Sequence, residues 1–320
     1  MKKVILSLMI AIMATVAVKA QQIAVVSGST TTLKRTLADA ISAATASSVI
    51  YLPGGGFPIA DDVIIKKKLT IIGIGHKVKG ENADGYTTIT GNLHFGAGSD
   101  GSAVMGCYIS GNVVIGDAST AVNDILVRYC NANCVDVMNS GSDQTTVNQC
   151  YLRGISDFHG ANGEFTHNIA NSIYKIDNGE VAYNIFTTGN LCFGNSSSYQ
   201  SESTSIIGNI FTVGCSKYTI DCLTAGNMTT NRVSPFGDDS KGLSQSNAEI
   251  FEKPSGVTPY SSYHFKEGFK EYESQYGIYV GNGFNDDALP PVPYIVNMRI
   301  PEQTDADGKL RLQVRVRAGE

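Results

Sequence analysis

Between Val104 and Thr230 the chain repeats one short frame: VMGCYI, VRYCNA, VNQCYL, THNIAN, AYNIFT, IGNIFT and AGNMTT. One position in each is Cys or Asn, at Cys107, Cys130, Cys150, Asn168, Asn184, Asn209 and Asn227, with intervals of 23, 20, 18, 16, 25 and 18 residues. Three residues earlier stands Val104, Val127, Val147, Phe165, Val181, Ile206 or Thr224; two residues later stands Ile109, Ala132, Leu152, Ala170, Phe186, Phe211 or Thr229. A repeat with inserts of varying length constrains a fold more than local propensity does. Each unit is too short to bury an apolar face alone, so successive units must stack and share one core. Neighbouring strands lie about 4.8 Å apart, which turns the fixed positions into columns. Asn suits a column at a tight turn because it tolerates left-handed backbone and its amide can hydrogen-bond along the stack. Cys is the apolar version of the same column. The expected fold is all-β, a parallel β-helix.

The first residues have the form of a secretory signal peptide: Lys2 and Lys3, an apolar run, then Val18-Lys19-Ala20 before Gln21. The expectation is a signal over 1–20 and a secreted, periplasmic or cell-surface protein. No Cys follows the cleavage point to carry a lipid, and the run is too short and wrongly flanked for a stable membrane span. Losing three lysines would take the formal net charge from −5 to −8. An acidic exported chain with no basic cluster is not expected to bind nucleic acid. Thirty-four glycines, fifteen tyrosines and no Trp suit strands with frequent turns. The seven cysteines are an odd number and three lie on the ladder. Buried free thiols are therefore expected, with Cys130/Cys134 and Cys215/Cys222 the pairs to check for a bridge.

Ahead of the repeat, Leu33, Leu37, Ala40, Ile41 and Ala44 recur with helical period over 30–48, with Thr31 or Thr32 as cap. A helix there would cover the exposed first coil and block edge-to-edge pairing. A strand (49–52), Pro53-Gly54-Gly55-Gly56 and the run VIIKKKLTIIGIG follow. Asn195 to Ser205 is a polar insert within the longest ladder interval. Asp286 to Pro293 reads as a stiff linker. Beyond it, 294–300 and 310–317 alternate around Asp307-Gly308 as a hairpin, so the β-helix domain is expected over 21–285 and a hairpin tail over 286–320.

The order of cap helix, IYLPGG, VIIKKKLTIIGIG and ladder coils resembles the right-handed parallel β-helix proteins of the pectin-lyase-like superfamily, over about residues 30 to 285. The segments YHFKEG and YGIYVG near the end are similar to the last-coil pattern of secreted bacterial β-helix proteins, with Phe269-Lys270-Glu271 replacing the usual Ser-Pro-Ala. The resemblance implies a right-handed solenoid and a polysaccharide as partner. It also implies that the strand after the third turn carries any active site.

After each ladder residue the next strand has the form apolar-x-apolar, with His94, Val114, Asp136, Asp157, Lys175 or Cys192 in the middle. Alternation points these residues outward. His159 and Asp177, two positions on, share that face, and Arg153 borders it. Asp136 and Asp157, one coil apart, are candidate acids for glycoside hydrolysis or oxygen ligands for Ca²⁺. Lys175 is a candidate lyase base; His94, Arg153, His159 and Asp177 are candidate contacts to an acidic glycan. Against this stands a plainer account, since outward columns must be solvated and Asp beside Lys pairs favourably. A clustered-Arg lyase signature, a nucleophile elbow, a phosphate loop and a zinc motif are all missing from the sequence. The two functional readings are a protein that binds or cleaves an acidic polysaccharide, and a non-catalytic structural or adhesive envelope protein.

Overall fold

The structure, a computed structural model, describes residues 22–61, 63–77, 85–188, 200–213, 219–220, 222–230, 240–281, 283–286, 294–299 and 313–317. The signal segment, residues 195–199 of the polar insert, the linker after Asp286, the Asp307-Gly308 turn, Cys192 and Cys215 lie outside the described residues. The chain winds as a parallel β-helix of about eight turns. One face is an 11-stranded sheet and the other two share a 14-stranded sheet that branches. Each frame contributes first to the first face, then to the second, as in Ala103–Met105 followed by Tyr108–Ile109. The third face comes next, as in Val113–Ile115.

Register along the first face runs Ile71, Val104, Val127, Val147, Phe165, Val181, Ile206 and Thr224, as the repeat requires. Core aromatics continue the stack from coil to coil: Phe165 lies 6.2 Å from Phe186, and Phe186 lies 5.3 Å from Phe211, rings nearly parallel.

The ladder sits at the corner between the first and second faces. Asn168, Asn184, Asn209 and Asn227 are fully buried. The Oδ1 of each accepts the backbone N–H of the ladder residue before it, at 2.8 to 3.1 Å. Their Nδ2 groups donate back to Val147, Phe165, Val181 and Ile206 carbonyls. The thiols imitate that second bond, with Cys130 Sγ 3.6 Å from the Val104 carbonyl and Cys150 Sγ 3.5 Å from that of Val127. One coil before Cys107 the second-face register brings the buried Thr87 to this position, and Gly73 packs against both, a Cβ there lying 2.8 Å from Cys107 Sγ and 2.4 Å from the Gly106 carbonyl oxygen. The left-handed backbone expected of the Asn belongs instead to the residue before it: Gly106, Tyr129, Gln149, His167, Tyr183, Gly208 and Gly226 all have positive φ. Cys107, Cys130, Cys134, Cys150 and Cys222 are free thiols, so Cys130 and Cys134 are not bridged.

Two expectations need correction at the ends. Thr30–Lys34 is a strand, antiparallel to Ile23–Ser27, because Gly28 turns the chain back and the threonine run favours extended backbone. The helix is shorter, Leu37–Ala43, capped by Thr36 Oγ1, which accepts from Asp39 N; Leu37, Ala40 and Ile41 are buried, whereas Leu33 is exposed. At the other end, YHFKEG and YGIYVG form no last coil. Phe251, Tyr263, Phe265, Ile278 and Phe284 pack on the outward column Tyr151, Ile169, Ile185, Ile210 and Met228 of the second face. The segment 247–286 is a strap laid along the solenoid. Five apolar side chains facing out in register would otherwise form an exposed apolar patch. The tail is an antiparallel pair, Tyr294–Arg299 with Gln313–Arg317.

Candidate functional site

The third face carries the outward column His94, Val114, Asp136, Asp157 and Tyr174. Val135 and Val137 on either side of Asp136 are fully buried, as are Ser156 and Phe158 around Asp157. The two aspartates are therefore outward register partners on adjacent coils, as the alternation predicts.

Lys175 is not in that column. Leu152 pairs with Ala170, but after an irregularity Ser156 pairs with Ile173 and Asp157 with Tyr174. One residue fewer turns the corner in the later coil, so the outward position moves back by one. Ile173 and Ile176 are in the core, and Lys175 sits past the strand in left-handed backbone, φ 48°. The Arg153-Gly154 pair at the earlier corner was the signal for the slip, since glycine inside a strand pattern often marks a bulge.

His159 lies over the aspartate pair. Its Nδ1 is 3.1 Å from the Val137 carbonyl oxygen, 3.5 Å from Asp157 Oδ1 and 3.6 Å from Asp136 Oδ1. A carbonyl only accepts, so Nδ1 carries a proton. Asp157 Oδ1 also accepts the His159 backbone N–H at 2.8 Å. The carboxyl side chains are 27% and 20% exposed at Asp136 and Asp157. Burial raises the pKa of Asp136 above the ordinary carboxylate value; Asp157 adds to the rise and His159 opposes it. Cys134 belongs to the same neighbourhood, its thiol pushed up to about 12 by burial and by Asp136 and Asp157; the sequence reading had it only as a disulfide partner.

The remaining candidates sit around this centre. Arg153 Nε donates to Ala132 O, Nη1 to the Tyr108 hydroxyl, and Nη2 to the Ile109 and Ser110 carbonyls; the guanidinium lies 4.9 Å over the Tyr108 ring. It braces the corner of the preceding coils. His94 Nε2 is 2.9 Å from the Gly116 carbonyl oxygen, so it carries a proton, and Val114 separates it from Asp136. Asp177 Oδ1 accepts the Glu202 backbone N–H, and its other oxygen and Lys175 Cε both lie beside Gly160. Among the described residues no group of three or more His, Cys, Asp or Glu is arranged to hold a metal ion. His159 Nδ1 gives its proton to the Val137 carbonyl while standing 3.5 to 3.6 Å from both carboxylates.

A depression of about 400 Å³ lies elsewhere, on the first face, lined by Asp124, Leu126, Gln144, Thr146, Asn162 and Glu164. No described helix is long and apolar enough to cross a membrane. Comparison with family models, with curated proteins and with solved structures finds no match in any of the three.

Proposed function

We propose that the protein is exported and engages a polysaccharide along the third face, where Asp136 and Asp157 act together to hydrolyse a glycosidic bond. The observation that carries this is the in-register aspartate pair under His159, with Asp136 biased toward its protonated form by burial. In that scheme Asp136 is the general acid and Asp157 the second carboxylate. A strand spacing of about 4.8 Å favours the short separation, about 5 to 5.5 Å, of retaining hydrolysis. Elimination is the weaker scheme, because Lys175 lies outside the column. The resemblance to pectin-lyase-like proteins agrees with this location.

The test is a screen of purified protein against polysaccharides, following new reducing ends and the ultraviolet absorbance of unsaturated products. Reducing ends without unsaturation are expected, and Asp136→Asn should lower turnover by about 10²- to 10⁴-fold. Activity that survives both Asp136→Asn and Asp157→Asn would sink the proposal. A second reading, an envelope rod, is favoured by the C-terminal strand pair that follows the strap. Removal of residues 287–320 should then release the protein from the cell surface.

A further inference from the structure

We infer that the third face takes a glycan presenting hydroxyl or ammonium donors and no carboxylate, rather than a uronate polymer. This rests on the reading of that face as a glycan site. An acidic glycan needs cations where its carboxylates lie; of those the sequence offered there, Arg153 and His94 are committed to backbone carbonyls and Lys175 stands outside the column. The Arg153 guanidinium donates to three carbonyls and a hydroxyl at the neighbouring corner. Lys175 yields its place in the column to Tyr174, and its side chain lies beside Gly160. His94 turns Nε2 to a backbone carbonyl and sits two coils from Asp136. His159 spans the aspartates, so any positive charge it takes is already faced by two carboxylates.

Between Val114 and Tyr174 the column thus offers acceptors: two partly buried carboxylates, 27% and 20% exposed at Asp136 and Asp157. A uronate placed there would meet like charge in a partly desolvated setting, which costs more than in bulk water. Sugar hydroxyls donate to such carboxylates without bringing charge, and an amino sugar adds a charge-assisted bond.

The test is calorimetric titration of the full protein with hexasaccharides of three kinds: a neutral panel (gluco-, xylo-, manno- and galacto-), a glucosamine oligomer and a galacturonate oligomer. Binding to a neutral or glucosamine oligomer is expected, weakened at least tenfold by Asp136→Asn/Asp157→Asn, with the galacturonate oligomer silent. The control Glu267→Gln/Glu271→Gln, exposed on the strap, removes equal charge and should leave affinity unchanged; an equal loss in the control would reduce the effect to net charge and overturn the inference. Affinity that falls with salt for the glucosamine oligomer alone identifies the ammonium as the donor, and salt-insensitive binding of a neutral oligomer identifies hydroxyls. Galacturonate binding that the aspartate variants leave intact or strengthen overturns the inference and spares the proposed function. Silence on all three, with folding intact by circular dichroism, overturns both.

Discussion

Asn184 shows what one ladder residue holds together. Its Oδ1 accepts from the Asn168 backbone N–H and side-chain amide, while its Nδ2 donates to the Phe165 carbonyl. Asn184→Leu keeps most of the volume and leaves a buried N–H and a buried carbonyl without partners, which should cost roughly 2–6 kcal/mol. Urea unfolding measures it, and a loss under about 1 kcal/mol would show that water replaces the amide. The thiols of the earlier coils reach the same class of carbonyl but are weak donors. The change from Cys to Asn along the column is thus a change from apolar packing to a polar chain. Cys150 marks the junction, since its N–H is the first in the series to be taken by an Asn side chain, that of Asn168.

The strap shows where a single element escaped the sequence. The inward positions of every frame were legible because they recur with the ladder, and the first-face register follows them without a slip. The residue just after the ladder position was equally regular, Tyr151, Ile169, Ile185, Ile210 and Met228, but an apolar residue facing out says only that something covers it. What covers it depends on contacts over long separations that no local period encodes. The site was legible to the same degree: Asp136 and Asp157 followed from alternation, whereas Lys175 was lost to one residue at a corner. Within the strap, His264 lies between Glu273 and Asp286, with Nδ1 2.5 Å from one carboxylate and Nε2 3.1 Å from the other, and stacks 3.8 Å from the Tyr279 ring. Burial alone would raise the pKa of Glu273, but hydrogen bonds from Lys270 and His264 outweigh it and hold the carboxyl below its usual value of 4.5. A depressed carboxyl pKa contributes stability that is complete above 4.5 and lost as pH falls through the folded value. Proteolysis within 251–286 should therefore accelerate below that pH before the coils are cut, and Glu273→Gln should abolish the pH dependence of this step.

At the scale of the whole molecule, a solenoid is close to one-dimensional, since each coil touches only its neighbours and a local defect stays local. The strap changes that connectivity. His167 Nε2 meets the Val280 carbonyl, Gln149 Oε1 accepts the Asn285 N–H, and Lys77 Nζ donates to the Asp286 carbonyl, across sequence separations of 113, 136 and 209 residues. Coils from Tyr151 to Met228 therefore share one apolar cover, which reaches the earlier coils through the polar contacts of Lys77. Phe265 is nearly fully buried against Phe251 and Tyr272, so Phe265→Ala should cost about 3–5 kcal/mol. Because the strap bridges non-adjacent coils, that loss is expected to divide unfolding in two rather than lower one midpoint. Hydrogen exchange in denaturant should show strands between Tyr151 and Phe211 opening first, with Leu69–Ile72 through Val113–Ile115 still protected. In the unaltered chain the two groups should open together. A variant that loses protection evenly over all coils would mean that the core, and not the strap, carries the cooperativity of the rod.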